Sequence, residues 1–233
     1  MWSSGTMSKP RAAIFDIGAT LVTGPPVAPN KVIAALLDGA GAAEVASVIM
    51  TTELTCADGV CSALEARFGT IGREARVGIE RLWNMQSSAA VGLDGASDTV
   101  LALKRRGLRI GLLSDIWNPY YESVEKALPD VIGAADAIVL SCRTGARKPE
   151  PANFVKALDE LDVEPCSAVM IGDTYTHDIR PALQLGMRAV WVLARPDREA
   201  ESIIGVLNGD YPTPTATVSS IAEVAALPMW GRK

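Results

Sequence analysis

Residues 12–22 read AAIFDIGATLV. A short apolar run, Ala12–Phe15, stops at the carboxylate of Asp16, and the Gly18–Thr20 turn follows. The same grammar recurs at Arg109–Leu113, Ala137–Leu140, Ala168–Ile171 and Ala189–Leu193, which lead into Ser114, Ser141, Gly172 and Arg195. None of these runs alternates apolar with polar residues. Unbroken apolar runs suit strands buried on both faces, which is the habit of a parallel sheet. Helical patterns separate them at Ser97–Gly107, Pro119–Leu128, Pro151–Leu161 and Asp178–Leu185. Ser97 or Asp98 is the expected N-cap of the first, and Gly107 its stop. Strand alternating with helix predicts an α/β fold with a doubly wound parallel sheet.

One stretch, residues 22–93, breaks the rhythm. It holds no comparable strand run, and Asn30–Asp38, Ala43–Cys56, Val60–Phe68 and Arg73–Gln86 all read as helices. Apolar residues recur at three and four, as in Val77, Ile79, Leu82 and Trp83. A right-handed crossover between parallel strands needs only one helix, so this block is predicted to be an inserted all-α lobe. Pro25, Pro26 and Pro29 mark the way in, and Gly92 and Gly95 the way out. The expected organisation is a disordered leader over residues 1–10, an α/β core from 11–21 and 94–233, and a helical lobe over 22–93. The proline-bearing tail 196–217 is expected on the surface, and Ser219–Leu227 as a short closing helix.

Composition narrows the chemistry. The 233 residues are 48% hydrophobic and 21% charged, with 22 Lys and Arg against 27 Asp and Glu, for a net charge of −5. An acidic chain without a Lys/Arg cluster is not expected to bind nucleic acid or an anionic membrane surface. No apolar stretch approaches the roughly 18 residues of a membrane span. Residues 1–10 lack the apolar run of a signal peptide. A cytoplasmic protein, monomer or homodimer, is expected. The one histidine, His177, excludes zinc sites with two histidines and His-Glu-x-x-His proteases. Cys56, Cys61, Cys142 and Cys166 form no Cys-x-x-Cys pair and read as buried or half-buried thiols.

Ligands of a parallel α/β sheet gather at the carboxyl ends of its strands. There the sequence places Asp16, then Ser114 and Asp115 in IGLLSD, Lys148 in ARKPEP, and Asp173 with Asp178 in VMIGDTYTHDI. Three carboxylates repel one another and are best tolerated around a cation. All-oxygen ligands favour a hard ion, and Mg²⁺ is the usual choice where a phosphate completes the shell. Lys148 and Ser114 would then face phosphate oxygens.

Four ordered motifs, FDIGATL, LLSD, RKPEP and IGDTYTHD, resemble those of the haloacid dehalogenase-like hydrolase superfamily over about Arg11 to Ala194. The inserted lobe resembles the cap domain that this family places after its first motif. The resemblance implies a Rossmann-like core and a Mg²⁺-dependent hydrolase acting on a small phosphorylated metabolite. It implies that Asp16 is the nucleophile and takes the phosphoryl group as an aspartyl-phosphate. It further implies that Asp16, the Gly18 carbonyl, Asp173 and Asp178 hold the metal, that Ser114 and Asp115 meet the phosphate, and that Lys148 neutralises charge.

One position departs from the pattern. Most phosphatases of the family carry a second aspartate two residues after the nucleophile, and here that residue is Gly18. The missing group protonates the leaving alcohol and then activates water, and losing a general acid–base group costs about 10²–10⁴ in rate. Weakened activity is expected, least damaging for an activated aryl or acyl phosphate. Glu53, Asp58, Glu65, Asp115 and His177 are the candidate substitutes. The alternative is a catalytically impaired relative that keeps a phosphate and metal pocket for a regulatory or interaction role. The family's dehalogenases work without Mg²⁺ and fit the Gly-Asp…Asp ending poorly. Its phosphonate hydrolases need a cap lysine, and Lys31, at the lobe's entrance, is the only one here.

Overall fold

A computed structural model describes residues 9–24 and 28–231. The expected leader falls almost wholly outside the described residues, as do Pro25 and Pro26.

Among the described residues, six strands form one sheet: β1 (Ala12–Phe15), β2 (Arg109–Ser114), β3 (Ala137–Leu140), β4 (Ala168–Gly172), β5 (Arg188–Val192) and β6 (Ala216–Val218). Their spatial order is β3-β2-β1-β4-β5-β6, and every pairing is parallel. Phe15 lies level with Leu112 on one side and Ile171 on the other. The period of two in a strand divides the core. Ala13, Phe15, Ile110, Leu112, Val169 and Ile171 point into one apolar cluster. Ile14, Leu113, Met170 and Ala189 point into a second cluster with Phe154, Ala157 and Leu158. Both faces are covered, which is why the runs carry no polar alternation.

Helices α1 (Pro29–Leu36), α2 (Ala42–Ile49), α3 (Ala57–Phe68) and α4 (Arg73–Gln86) fill the stretch between β1 and β2, ahead of α5 (Ala96–Arg105). Their buried faces, with Ile33, Ile49, Leu64, Ile79 and Leu82, join the first cluster. The seam with the sheet domain is made on α6 (Asn118–Ala127). Trp83 of α4 stands edge-on to Trp117 with ring centroids 5.7 Å apart. The Trp117 indole N–H donates to Gln86 at 3.2 Å, and the Ala90 N–H to the Ser123 hydroxyl at 2.6 Å. The two connections run side by side: the Thr23 N–H donates to Val91 O at 2.8 Å and the Leu93 N–H to Leu21 O at 2.9 Å.

The remaining helices are α7 (Pro129–Ala134), α8 (Ser141–Thr144), α9 (Pro151–Glu160), α10 (Arg180–Gln184) and α11 (Ala200–Asn208). Several expectations need correction. Neither Ser97 nor Asp98 caps α5; Gly95 does, at φ +78°, where a Cβ would come within 2.6 Å of the Ala222 Cβ. α2 ends at Ile49 rather than Cys56, whose sulfur instead accepts the Gly59 N–H and starts α3. The segment 196–217 lies largely on the surface, as expected, but it is not an unstructured tail. It contributes α11 and the edge strand β6, with Pro212 and Pro214 confined to the connection ahead of β6. Beyond it Ile221, Val224 and Trp230 are buried. The closing helix is a 3₁₀ segment, Ile221–Ala226. Cys61 and Cys142 are buried, but Cys56 and Cys166 are exposed. No helix among the described residues is long and apolar enough to cross a membrane.

Candidate active site

The carboxyl ends of β1, β2 and β4 meet where the strand order turns back on itself, the place where a doubly wound sheet opens a crevice. The Asp16 N–H donates to Ile171 O at 2.9 Å, carrying the β1–β4 ladder one residue past β1 and fixing Asp16 at the rim. The chain then coils tightly: the N–H groups of Thr20, Leu21 and Val22 all point at Ile17 O, and Ala19 takes φ +58°. A non-glycine residue in that region stores local strain and is characteristic of functional turns. The Thr20 hydroxyl donates to Asp16 Oδ2 at 3.3 Å.

At the end of β4, Asp173 enters a π-helical turn, Tyr175–Ile179. The Asp178 N–H donates to Thr174 O at 2.8 Å, and the Thr174 N–H to Asp178 Oδ2 at 3.0 Å. This reciprocal pair folds the loop back, so that two carboxylates five residues apart return to one point. Helix α10 starts only at Arg180, later than its pattern suggested, because the π turn takes up the residues around Asp178. Gly172 is required there, since a Cβ would lie 2.5 Å from the Asp178 carboxyl carbon.

Asp16, Asp173 and Asp178 are buried, and each offers an oxygen such that all three lie within 4.8 Å of one another. Between two of them sits Lys148, whose Nζ is 2.6 Å from Asp16 Oδ1 and 2.6 Å from Asp178 Oδ1. Burial pushes the Asp16 carboxyl up to about 6, against the pull of Lys148 and with the push of Asp178. Burial likewise raises Asp173 and Asp178. For Lys148 burial works against the charge, but Asp16 and Asp178 outweigh it and hold the ammonium above its ordinary range. Three buried oxygens on carboxylates whose negative charge is under-compensated form a donor set that suits a hard divalent cation such as Mg²⁺.

A cavity of about 380 Å³ opens over these groups. Asp16, Gly18, Ser114, Asp115, Lys148, Asp173 and Asp178 all line it, so the residues singled out in the sequence converge. Asp115 Oδ1 accepts the Lys148 N–H at 3.0 Å, and its Oδ2 faces Arg147 at 3.5 Å. It therefore positions the lysine. Of the candidate substitute acids, Glu53 pairs with Arg143 at 3.3 Å, Glu65 pairs with Arg76, and Asp58 lies exposed in the first turn of α3. Only Asp115 and His177 among them reach the cavity wall. Sequence reasoning missed Arg147 and Arg195, which also line it; Arg195 bonds the Asp173 carboxylate. Arg195 lies just after β5, and that placement was its signal.

The family model described as haloacid dehalogenase-like hydrolase matches residues 10–186, and the chain belongs to that family. Glyceraldehyde 3-phosphate phosphatase of Pyrococcus furiosus is 34% identical over 97 residues, 42% of this chain and 40% of the relative. N-acylneuraminate-9-phosphatase of Rattus norvegicus is 37% identical over 93 residues, 40% of this chain and 34% of the relative. The matched stretch thus spans about two-fifths or less of these relatives. Among solved structures, CbbY of Rhodobacter sphaeroides in complex with phosphate superposes with TM-score 0.61 at 20% identity, covering 92% of this chain and 96% of that one. L-2-haloacid dehalogenase of Xanthobacter autotrophicus gives 0.58 at 14% identity, covering 96% and 100%. The last two likenesses concern the fold alone.

Proposed function

We propose that this chain is a Mg²⁺-dependent phosphatase that works through Asp16. The observation that carries the reading is the pairing of Asp16 with Lys148 at 2.6 Å inside a buried ring of carboxylates. In the first step an Asp16 oxygen attacks phosphorus, the bond to the leaving oxygen breaks, and an aspartyl-phosphate forms. In the second, water attacks the same phosphorus and Asp16 is returned. Splitting one displacement into two is the gain of a carboxylate nucleophile. Lys148 holds Asp16 in place and offsets charge on the transferring group, and Ser114 binds its oxygens. Asp16, the Gly18 carbonyl, Asp173 and Asp178 would hold Mg²⁺, which supplies charge stabilisation for the phosphoryl oxygens. The helices α1–α4 serve as a cap over the cavity, hinged on the paired connections at Leu21–Thr23 and Val91–Leu93. The substrate is a small phosphorylated molecule, in keeping with the phosphatases among the relatives.

Gly18 favours a second reading, in which the pocket binds phosphate and metal without efficient turnover. Hydrolysis of p-nitrophenyl phosphate by the full chain, with and without Mg²⁺ and beside Asp16→Asn, separates the two. Metal-dependent turnover that Asp16→Asn abolishes is expected. Phosphate binding without any turnover would establish the second reading instead.

A further inference from the structure

A second cavity, of about 200 Å³, opens off the first and shares Gly18, Gly24 and Asp115 with it. Its character is different. Among the described residues its wall is made chiefly by Pro29, Met50, Ile116, Trp117 and Tyr120, with the amide of Gln86 set among them, drawn from both sides of the seam between the lobe and the sheet domain. The polar atoms of its aromatic rings are already engaged. The Trp117 indole N–H donates to Gln86, and the Tyr120 hydroxyl to Thr23 O. Asp115 has one oxygen on the Lys148 N–H and the other facing Arg147. A polyol placed here would lose hydrogen bonds to water and regain few, which is costly. An apolar ring fits both the surface and the size, since a cavity of ~150 Å³ lined by apolar side chains is enough for benzene.

The second observation concerns protons. Gly18 stands at the mouth of both cavities and carries no acid. Asp115 lines both cavities, but its oxygens are engaged by the Lys148 N–H and by Arg147, and His177 lines the phosphate cavity but not the apolar one. An alcohol leaving into the apolar cavity therefore meets no group placed to protonate it. Such a departure is slow for an alkoxide and fast for an oxygen that is stable as an anion.

We infer that the site is built for phosphate monoesters whose leaving group is a compact, apolar phenol: an aryl phosphate rather than a sugar or polyol phosphate. This rests on the phosphatase reading above and narrows it. The phosphorus–oxygen bond breaks with its electron pair on the phenolate, which takes a proton from bulk water. Asp16 gains the phosphoryl group and loses it to a water molecule, whose proton passes to solvent. No oxidant, reductant or second substrate is needed.

The test uses the full chain with Mg²⁺ at constant pH and compares phenyl and substituted-phenyl phosphates with cyclohexyl and glycerol phosphates. The expected result is kcat/KM at least about 100-fold higher for the aryl esters, rising with the acidity of the phenol, and a narrower gap in Gly18→Asp, where an acid is restored. In parallel, Met50→Glu, at a half-buried position of the apolar wall, should raise KM for phenyl phosphate about tenfold and leave inhibition by inorganic phosphate unchanged. Phenylphosphonate should bind at least tenfold tighter than methylphosphonate, read by calorimetry without turnover. Equal kcat/KM for glycerol and phenyl phosphates overturns the inference and leaves the phosphatase reading standing. Absence of any Asp16-dependent turnover overturns that reading; equal binding of the two phosphonates then removes the apolar subsite as well.

Discussion

At the scale of single residues, two glycines carry opposite messages. A Cβ at Gly18 would meet no heavy atom within 4 Å, and its backbone lies outside the left-handed region. An aspartate is therefore accommodated there and enters the cavity beside Asp16. Gly18→Asp is expected to raise turnover of an alkyl phosphate by about 10²-fold or more, the usual worth of a general acid–base group. Steady-state kinetics on glycerol phosphate, with Mg²⁺ binding measured in parallel, checks this; unchanged turnover with metal bound would place the defect elsewhere. Gly172 is the reverse case. Its missing Cβ leaves the space that the Asp178 carboxylate occupies. Gly172→Ala should push Asp178 away from Lys148 and weaken Mg²⁺ at least tenfold in a calorimetric titration, with native far-ultraviolet dichroism retained. The acidic and lysine residues of the site were legible in sequence because each sits directly after an apolar strand run or before a helix. Arg147 and Arg195 hold the same kinds of position, before a helix and after β5, but an arginine there looks the same whether it faces solvent or a carboxylate, so position alone did not mark them as site residues. The role of Gly172 was not legible either, since only the returning π turn brings Asp178 against it.

At the scale of elements, the seam between α4 and α6 decides how the helical lobe sits over the strand ends. Trp83 is 9% exposed and meets Trp117 edge to face, while Gln86, one turn on, takes the Trp117 N–H. Trp83→Ala removes that ring and leaves the Trp117 face uncovered. The expected loss is about 3 kcal/mol, at the lower end for a large aromatic because the side chain is not fully enclosed. Urea unfolding followed by fluorescence measures it; a loss under about 1 kcal/mol would mean that the seam contributes little. Five strands and the four lobe helices could be read from periodicity, because burial on two faces or one writes a clear pattern. β6 could not. It has three residues, follows Pro212 and Pro214, and is an edge strand with one neighbour, β5. Its sequence is short and only partly apolar, and pairing rather than pattern makes it a strand. The α5 start was misplaced for a related reason. Ser97 and Asp98 are good caps, but the close approach of Ala222 admits only a glycine at position 95.

At the scale of the whole molecule, the charge balance of the buried site couples folding to pH and to metal. The Asp16 carboxyl is pushed up to about 6 from an ordinary value of 3.8, and Asp173 and Asp178 move the same way. A carboxyl that is harder to ionise when folded favours the folded state while protonated. That stability is complete below about pH 4 and is lost as pH rises through about 6. Asp136, with Lys104 and the Ile110 N–H bonded to it, is shifted down, so its contribution is present above about pH 4 and constant over the window that matters. Lys148 is shifted up and holds its contribution until well into the alkaline range. Chelator-treated protein should therefore melt at a lower temperature at pH 7.5 than at pH 5.5. A divalent cation binds the ionised trio and not the protonated one, and binding to the folded state alone raises its stability. Millimolar Mg²⁺ should then raise the melting temperature by several degrees at pH 7.5 and by much less at pH 5.5. Scanning calorimetry at the two pH values, with and without Mg²⁺, reads both effects. An equal rise at both would mean that the cation binds groups other than Asp16, Asp173 and Asp178, whereas no rise at either would leave the ring of carboxylates without a metal to hold.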